Sequence, residues 1–166
     1  MQLKGSSLVE LAGCLADFTR PELIVPQVRE RDTAGVVKEL SQVLHQQGCV
    51  PDVLTFYHAA MNHEFLVNSA TASGLALPHA RLNSVVRSSF AFGKSAEPFL
   101  WSGRGSAPVE FIFLLAVPAT DAAGFLQLLS ALAKVGQEPA LLAGLRSQPS
   151  AEDIFEFFKQ VKVRHG

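Results

Sequence analysis

Residues 108–118, Pro108-Val-Glu-Phe-Ile-Phe-Leu-Leu-Ala-Val-Pro118, form the segment that decides the fold of this chain. Between Val109 and Val117 the only charged residue is Glu110, and apolar side chains occupy consecutive positions. A strand with one face in water alternates apolar and polar residues, whereas a strand covered on both faces is apolar throughout. We therefore expect a central strand here, buried between two helical layers, with Gly103 and Gly105 marking the turn before it.

Helical patterns lie on both sides of this strand. Asp32 predicts the start of a helix that ends near Gly48, and Pro51 predicts the start of a second helix that runs to about Glu64. Three further helices are expected: over residues 1–20 after the caps Ser6 and Ser7, along the apolar stripe Phe125, Leu128, Leu129 and Leu132, and after the capping box at Ser150.

Shorter strands are expected at residues 22–25, 75–77 and 85–92. Together with the buried strand they predict an α/β protein: a three-layer α/β/α sandwich around a small mixed sheet of about five strands. We interpret residues 1–166 as a single domain, with an N-terminal helix over 1–20 and the main body over 21–166.

Composition limits the classes of partner. The chain has 166 residues, 14 basic and 15 acidic, and a net charge of -1, which argues against nucleic acid or an anionic membrane surface as a ligand. The longest apolar run, residues 111–117, is too short to insert into a bilayer. Cys14 and Cys49 are isolated and no signal segment is recognisable, so a cytoplasmic location is expected.

The most informative stretch for function is the loop and short strand that lead to His79. Residues 67–74 are mostly small or hydroxyl-bearing, which is typical of a loop. Pro78 restricts the backbone just before His79, and a neutral imidazole can attack phosphorus. The side chains expected to donate hydrogen bonds to a phosphoryl group are Ser69, Thr71 and Ser73. On these residues alone, a structural histidine at a sheet edge is the more economical interpretation.

A family resemblance favours a functional role for His79 over a structural one. Gly74-Leu-Ala-Leu-Pro-His-Ala-Arg81 resembles the phosphorylation motif of the mannitol/fructose and nitrogen-regulatory enzyme IIA proteins of the bacterial phosphotransferase system. The resemblance extends from the helix at Asp32 through residues 108–118 and Leu126-Gln-Leu-Leu129 to the helix at Ile154.

The resemblance implies a phosphoryl-transfer component of the phosphoenolpyruvate-dependent sugar phosphotransferase system. His79 would accept a phosphoryl group from an HPr-like phosphocarrier and pass it to a cysteine of a IIB component, without a cofactor. A regulatory protein or a membrane transporter is a further partner that the resemblance implies. The sugar does not follow from the sequence.

Two departures from the family pattern concern the site. Family members usually carry Arg-Glu where this chain has His63-Glu64, and a second histidine where it has Phe125. His63 is expected to assist as a hydrogen-bond donor to phosphate, with pH-sensitive strength, and Glu64 to orient the site. Phe125 fits a core stripe. The alternative function is a weakly active or inactive regulatory module that binds partners according to phosphorylation state.

Competing motifs are weak. His58 and His63 point about 140° apart on a helix, so they do not form the one-faced pair of a metalloprotease, and no metal site is predicted. Gly103-Arg-Gly-Ser106 lacks the lysine and the spacing of a phosphate-binding P-loop.

Overall fold

The computed structural model describes residues 13–101 and 107–163. Two 3-10 turns, Leu15–Phe18 and Pro21–Leu23, come first. The helices are α1 (Thr33–Gln46), α2 (Val53–Leu66), α3 (Ala122–Gln137), α4 (Pro139–Ser147) and α5 (Ala151–Phe158). The strands are β1 (Ile24–Val25), β2 (Leu75–Ala76), β3 (His79–Leu82), β4 (Ser89–Leu100) and β5 (Pro108–Pro118).

The sheet is mixed and has β5 at its centre. On one side β5 pairs with β4 in antiparallel fashion, and β4 in turn pairs with β1 in parallel. On the other side β5 pairs in parallel with both β2 and β3. The apolar segment that decides the fold is thus flanked by strands on both sides, as its sequence predicts.

The edge formed by β2 and β3 is one interrupted strand. Leu75 lies opposite Phe111, and His79 lies opposite Leu115, so four residues of edge strand match four residues of β5 and the register is unchanged. Pro78 lies in the gap. Its carbonyl still accepts from the Leu115 N–H at 2.9 Å, but proline has no N–H to donate. The interruption therefore places His79 at the start of a new strand segment.

Two apolar clusters cover the two faces of the sheet. One packs phenylalanines of the sheet against α3, α4 and α5, and Phe158 of α5 lies among them: Phe90, Phe92, Phe111 and Phe113. The other packs smaller strand residues such as Ala91, Ile112 and Leu114 against α1 and α2. Successive residues of β5 from Phe111 to Val117 alternate between the clusters, since side chains alternate between the faces of a strand. This confirms the three-layer α/β/α arrangement.

The helix boundaries largely follow the predicted signals. Asp32 caps α1 by accepting the Gly35 N–H, and Ser150 caps α5 by accepting the Asp153 N–H. At α2 the cap is Asp52, whose carboxylate accepts from Leu54 and Thr55, rather than Pro51 at the first helical position. An aspartate side chain satisfies free N–H groups of the first turn, which proline does not do.

Two predicted elements differ from the structure. Of the N-terminal helix expected over residues 1–20, residues 1–12 lie outside the described residues, and 13–20 contain only the 3-10 turn. The strand expected at 85–92 begins at Ser89 and continues to Leu100. Val85 is buried, but it belongs to the turn after β3, where its N–H donates to the Leu82 carbonyl.

None of the helices in the described part of the chain combines the length and the apolar character needed to cross a membrane.

Gly93 of β4 provides a test of the packing between the sheet and α1. A Cβ at this position would lie 2.5 Å from Cγ1 of Val28 and 3.3 Å from Cδ2 of Leu40, both buried. Because overpacking a filled core costs stability, we expect Gly93→Ala to lower the free energy of unfolding by about 1–3 kcal/mol in urea denaturation. Gly13→Ala is the control, because a Cβ there would meet nothing closer than the Asp17 carboxylate, at 3.7 Å. Equal midpoints for both variants would contradict this packing.

Candidate functional site

His79 is held at the sheet edge by its own backbone neighbourhood. It is the first residue of β3, and its ring Nδ1 lies 2.9 Å from the carbonyl oxygen of Leu77. A carbonyl oxygen only accepts hydrogen bonds, so Nδ1 carries the hydrogen in this contact. In the neutral ring Nε2 then has the free lone pair. The local fold thus makes Nε2 the nitrogen of His79 that is available as a nucleophile in the neutral ring.

The surroundings of His79 favour its neutral form. The ring is half-buried, and burial lowers the pKa of His79 below its ordinary value. The positive charges of His63 and Arg81 also lower this pKa, while the hydrogen bond to Leu77 and the Glu64 carboxylate oppose them. A neutral imidazole is the form that attacks phosphorus. The lowered pKa therefore favours the neutral ring of His79 at neutral pH.

A pocket of about 330 Å³ opens beside the His79 ring. It is lined by Ala59, His63, His79, Ala80, Arg81 and Phe125. Since one water occupies about 30 Å³ of liquid, a tetrahedral anion fits this space. The His79 ring is thus in contact with an open pocket rather than sealed in apolar packing.

His63 comes from the last turn of α2 and approaches His79 from one side. The two ring centroids lie 4.2 Å apart. The Nδ1 atom of His63 is buried and makes no hydrogen bond to any described residue. The structure therefore places the ring of His63, predicted to assist, next to that of His79.

Glu64 follows His63 in α2 but does not line the pocket. Its side chain is buried and accepts hydrogen bonds from the Ser69 N–H, the Ser69 hydroxyl and the Trp101 indole N–H, at 2.7–2.8 Å. The Ser69 Oγ accepts in turn from the Leu77 N–H at 3.1 Å. The Ser69 hydroxyl therefore donates its only hydrogen to Glu64 and has none left for a phosphoryl oxygen. Glu64 and Ser69 together hold the loop in place.

Thr71 and Ser73 lie at a different part of the edge strand. The Thr71 hydroxyl is 3.0 Å from Ser73 Oγ and accepts from the N–H of Leu75, at the start of β2. His79 lies four residues further along the same edge, which in an extended chain corresponds to about 13 Å. Neither hydroxyl lines the His79 pocket. The expectation that they donate to the phosphoryl group is therefore corrected: they fix the turn at Gly74.

Arg81 and Phe125 complete the pocket and were not among the predicted site residues. The Phe125 ring centroid lies 4.8 Å from that of His79, and the Arg81 guanidinium carbon lies 5.2 Å from the Phe125 centroid. Phe125 is buried in the core, as predicted, but its ring also contacts that of His79. The sequence could have indicated Arg81 as a site residue, because residues two apart in a strand share a face and Arg81 therefore lies on the same face as His79.

A larger cleft, about 610 Å³, lies elsewhere, and several of its polar side chains pair with nearby backbone groups, although the hydroxyls of Ser88 and Ser89 make no hydrogen bond to a described residue. The Arg20 guanidinium donates to the Gln47 carbonyl, and His45 Nδ1 pairs with the Val50 carbonyl. The Asp17 carboxylate accepts from the N–H groups of Gly13 and Cys14. The described residues contain no group of three or more histidine, cysteine or acidic side chains that could hold a metal ion. The His79 pocket is therefore the candidate site.

The titration of His79 tests this electrostatic description. We expect the NMR titration of its ring to have a midpoint below the ordinary value of about 6.5. His63→Gln removes a charge that lowers the pKa of His79, so the midpoint should rise in this variant. His58→Gln is the control, because His58 is exposed and does not line the pocket. A midpoint at or above 6.5 in the wild type would contradict the described burial.

The sequence of the chain matches one family over most of its length. Residues 17–161 match the family described as "Phosphoenolpyruvate-dependent sugar phosphotransferase system, EIIA 2". The chain therefore belongs to this family of phosphotransferase-system enzyme IIA domains, as the motif around His79 indicated.

Curated relatives include sugar-specific components. The fructose-specific EIIABC component of Bacillus subtilis (strain 168) is 25% identical over 135 residues, which cover 80% of this chain and 21% of that protein. The fructose-specific EIIA component of Haloferax volcanii is 27% identical over 120 residues, covering 72% of this chain and 78% of that one. The chain thus spans about a fifth of the Bacillus protein and of two other curated relatives.

Solved structures share the fold. The nitrogen regulatory protein IIA-Ntr from Neisseria meningitidis superimposes with a TM-score of 0.71 at 23% identity, covering 86% of this chain and 97% of that one. The enzyme IIA mannitol in a complex with phosphorylated enzyme IIB mannitol from Escherichia coli gives 0.71 at 13% identity, covering 83% and 94%. These likenesses confirm the enzyme IIA α/β fold.

Proposed function

We propose that this chain carries a phosphoryl group on Nε2 of His79, received from an HPr-like phosphocarrier and passed to the cysteine of a IIB component in the cytoplasm. The observation that carries the proposal is the hydrogen bond from His79 Nδ1 to the Leu77 carbonyl, which leaves Nε2 free beside an open pocket. Among the relatives, the complex of IIA mannitol with phosphorylated IIB mannitol supports a IIB partner.

The transfer step follows from the ring geometry. The Nε2 lone pair of His79 forms a bond to phosphorus while the bond from phosphorus to the donor's imidazole nitrogen breaks, and the donor ring keeps that electron pair. The hydrogen stays on Nδ1 and remains hydrogen-bonded to the Leu77 carbonyl. This carbonyl oxygen stabilises the positive charge that develops on the ring. Attack by the IIB thiolate then reverses these roles, so His79 is the leaving group.

Arg81 and His63 are the pocket residues that we assign to the phosphoryl oxygens. The Arg81 guanidinium is a permanent cation on the same strand face as His79, and the ring of His63, which also lines the pocket, lies 4.2 Å from that of His79 between centroids. Glu64 holds the loop through Ser69, and the Ser69 hydroxyl oxygen in turn holds the backbone N–H of Leu77. Thr71 and Ser73 have no part in binding phosphate in this proposal.

The experiment that tests the proposal is phosphorylation of the purified protein with phosphoenolpyruvate, enzyme I and HPr. Rapid, stoichiometric incorporation of acid-labile phosphate supports a transfer component, and subsequent loss of the label to a IIB domain supports the second step. No incorporation under conditions in which HPr itself is labelled would contradict the proposal.

A regulatory role is the second candidate, and one contact favours it. Phe125 occupies the position of the second family histidine and places an apolar ring 4.8 Å from His79, where it donates nothing to phosphate. Losing one charge-assisted hydrogen bond in the transition state lowers a rate by roughly one to two orders of magnitude. Slow labelling, together with binding of a partner that depends on phosphorylation, would identify this chain as a regulatory module.

A further inference from the structure

Trp101 is connected to His79 by hydrogen bonds that run through Glu64, Ser69 and the backbone of Leu77. The Trp101 indole N–H donates to Oε2 of Glu64 at 2.8 Å, and the Ser69 hydroxyl donates to Oε1 of the same carboxylate at 2.7 Å. The Leu77 N–H donates to Ser69 Oγ at 3.1 Å, and the Leu77 carbonyl accepts from His79 Nδ1 at 2.9 Å. Each link in this chain joins two described atoms at hydrogen-bond distance.

The far end of this chain is rigidly held. Trp101 follows β4, is 2% exposed, and packs its ring 5.9 Å from that of Phe99. Its carbonyl accepts from the hydroxyl of Thr33 at the start of α1. The indole is therefore anchored to the body of the fold through its ring and its backbone.

The indole N–H has a specific electrostatic role. Glu64 is 8% exposed, and a buried carboxylate is unfavourable unless hydrogen bonds compensate for the lost water. Two of its donors, the N–H and hydroxyl of Ser69, belong to the loop that Glu64 positions. Trp101 is the donor that comes from another part of the fold. Without it, the Glu64 carboxylate loses its one described hydrogen-bond donor from outside the loop.

We infer that Trp101 is a positioning residue for phosphoryl transfer: through Glu64, Ser69 and the backbone of Leu77, whose N–H binds Ser69 and whose carbonyl binds His79, its N–H keeps the hydrogen of His79 on Nδ1 and the lone pair on Nε2. This inference rests on the proposed function for its kinetic consequence, but its effect on the imidazole tautomer exists in the unphosphorylated protein. Trp101 contacts neither the pocket nor the reacting atoms.

The test compares Trp101→Phe with Phe99→Leu. Trp101→Phe keeps an aromatic ring and removes the N–H, whereas Phe99→Leu disturbs the same packing and leaves every hydrogen bond of the chain intact. In 15N NMR spectra the wild type and Phe99→Leu should show His79 with its hydrogen on Nδ1, and Trp101→Phe should show a mixture of tautomers. We expect kcat/KM for phosphorylation by phospho-HPr to fall about tenfold in Trp101→Phe only.

Two further measurements keep the inference falsifiable. Trp101 is the single tryptophan, so biosynthetic replacement by benzothienylalanine exchanges its N–H for sulfur with little change of shape, in case Trp101→Phe does not fold. Combining Trp101→Phe with Glu64→Gln should reduce kcat/KM no further than Glu64→Gln alone, because both act through one carboxylate.

An unchanged His79 tautomer in the folded Trp101→Phe or benzothienylalanine protein would overturn the inference. So would fully additive losses in the double variant. If the wild type takes up no phosphate at all, the proposed function fails, but the tautomer measurement still decides whether Trp101 positions the ring.

Discussion

His79→Gln abolishes the incorporation of acid-labile phosphate from phosphoenolpyruvate, enzyme I and HPr. Glutamine provides no nucleophilic nitrogen, although its amide can donate to the Leu77 carbonyl and occupies a similar volume beside Phe125. We therefore expect labelling at background level while the urea midpoint stays near that of the wild type. In the labelled wild type, coupling between phosphorus and nitrogen should place the phosphoryl group on Nε2.

The matched control for this prediction is His58→Gln. His58 lies on α2, as His63 does, but its side chain is exposed and contacts Tyr57 rather than the pocket. Labelling of His58→Gln should match the wild type in rate and extent. Acid-labile phosphate on folded His79→Gln would assign the acceptor to another residue and would contradict transfer through Nε2 of His79.

The architecture was predictable because one segment carries most of the information. Residues 109–117 contain almost no polar residues, and only a strand flanked on both sides and covered on both faces buries such a run. The caps Asp32 and Ser150 set the starts of two helices through local hydrogen bonds that the sequence displays. Both features depend on near neighbours in the chain, which explains why sequence patterns reveal them.

The misassigned strand shows where local patterns are ambiguous. Val85 and Val86 have the β-branched character of a strand, yet Val85 is buried in the turn after β3 and Val86 is 90% exposed. β4 instead continues past Pro98, and its register with β5 shifts between Lys94 and Phe99. A proline is tolerated at such an irregularity because no ladder N–H is required of it. These outcomes depend on tertiary packing that no short pattern specifies.

The site was only half predictable for a similar reason. His79, His63 and Glu64 follow from the motif, and the structure brings His63 to within 4.2 Å of His79 between ring centroids. The hydroxyls of residues 69–73 looked equivalent in sequence, but the structure uses them for turn geometry and for Glu64. Trp101 lies 37 residues beyond Glu64, so only the folded chain shows their hydrogen bond.

The charges of the pocket are arranged differently from the family pattern that the sequence resembles. Where the family usually has an arginine in α2, this chain has His63, whose charge depends on pH. The described pocket residue with a permanent positive charge is Arg81, on the strand that begins with His79. Its guanidinium is exposed, lies over the Phe125 ring and donates to the Ala119 carbonyl from one Nη atom, which leaves other N–H groups free.

Arg81→Gln should therefore slow phosphoryl transfer strongly without unfolding the protein. Loss of a charge-assisted contact in the transition state corresponds to about 1.5–3 kcal/mol, so kcat/KM for phospho-HPr should fall by roughly 10- to 100-fold. Arg81→Lys keeps the charge but loses the planar fork, and we expect an intermediate rate. The urea midpoint should change little, because an exposed contact between a cation and an aromatic ring contributes only about 0.5–1 kcal/mol.

Arg87→Gln separates this local effect from the general charge of the surface. Arg87 is also exposed and lies in the connection between β3 and β4, but it does not line the His79 pocket. Both variants remove one positive charge, so slower docking of an oppositely charged carrier would affect both of them and would weaken at high salt. A loss confined to Arg81→Gln and retained at high salt assigns the guanidinium to the transferring group. Equal rates for Arg81→Gln and wild type would leave His63 to act alone and would refute the role of Arg81.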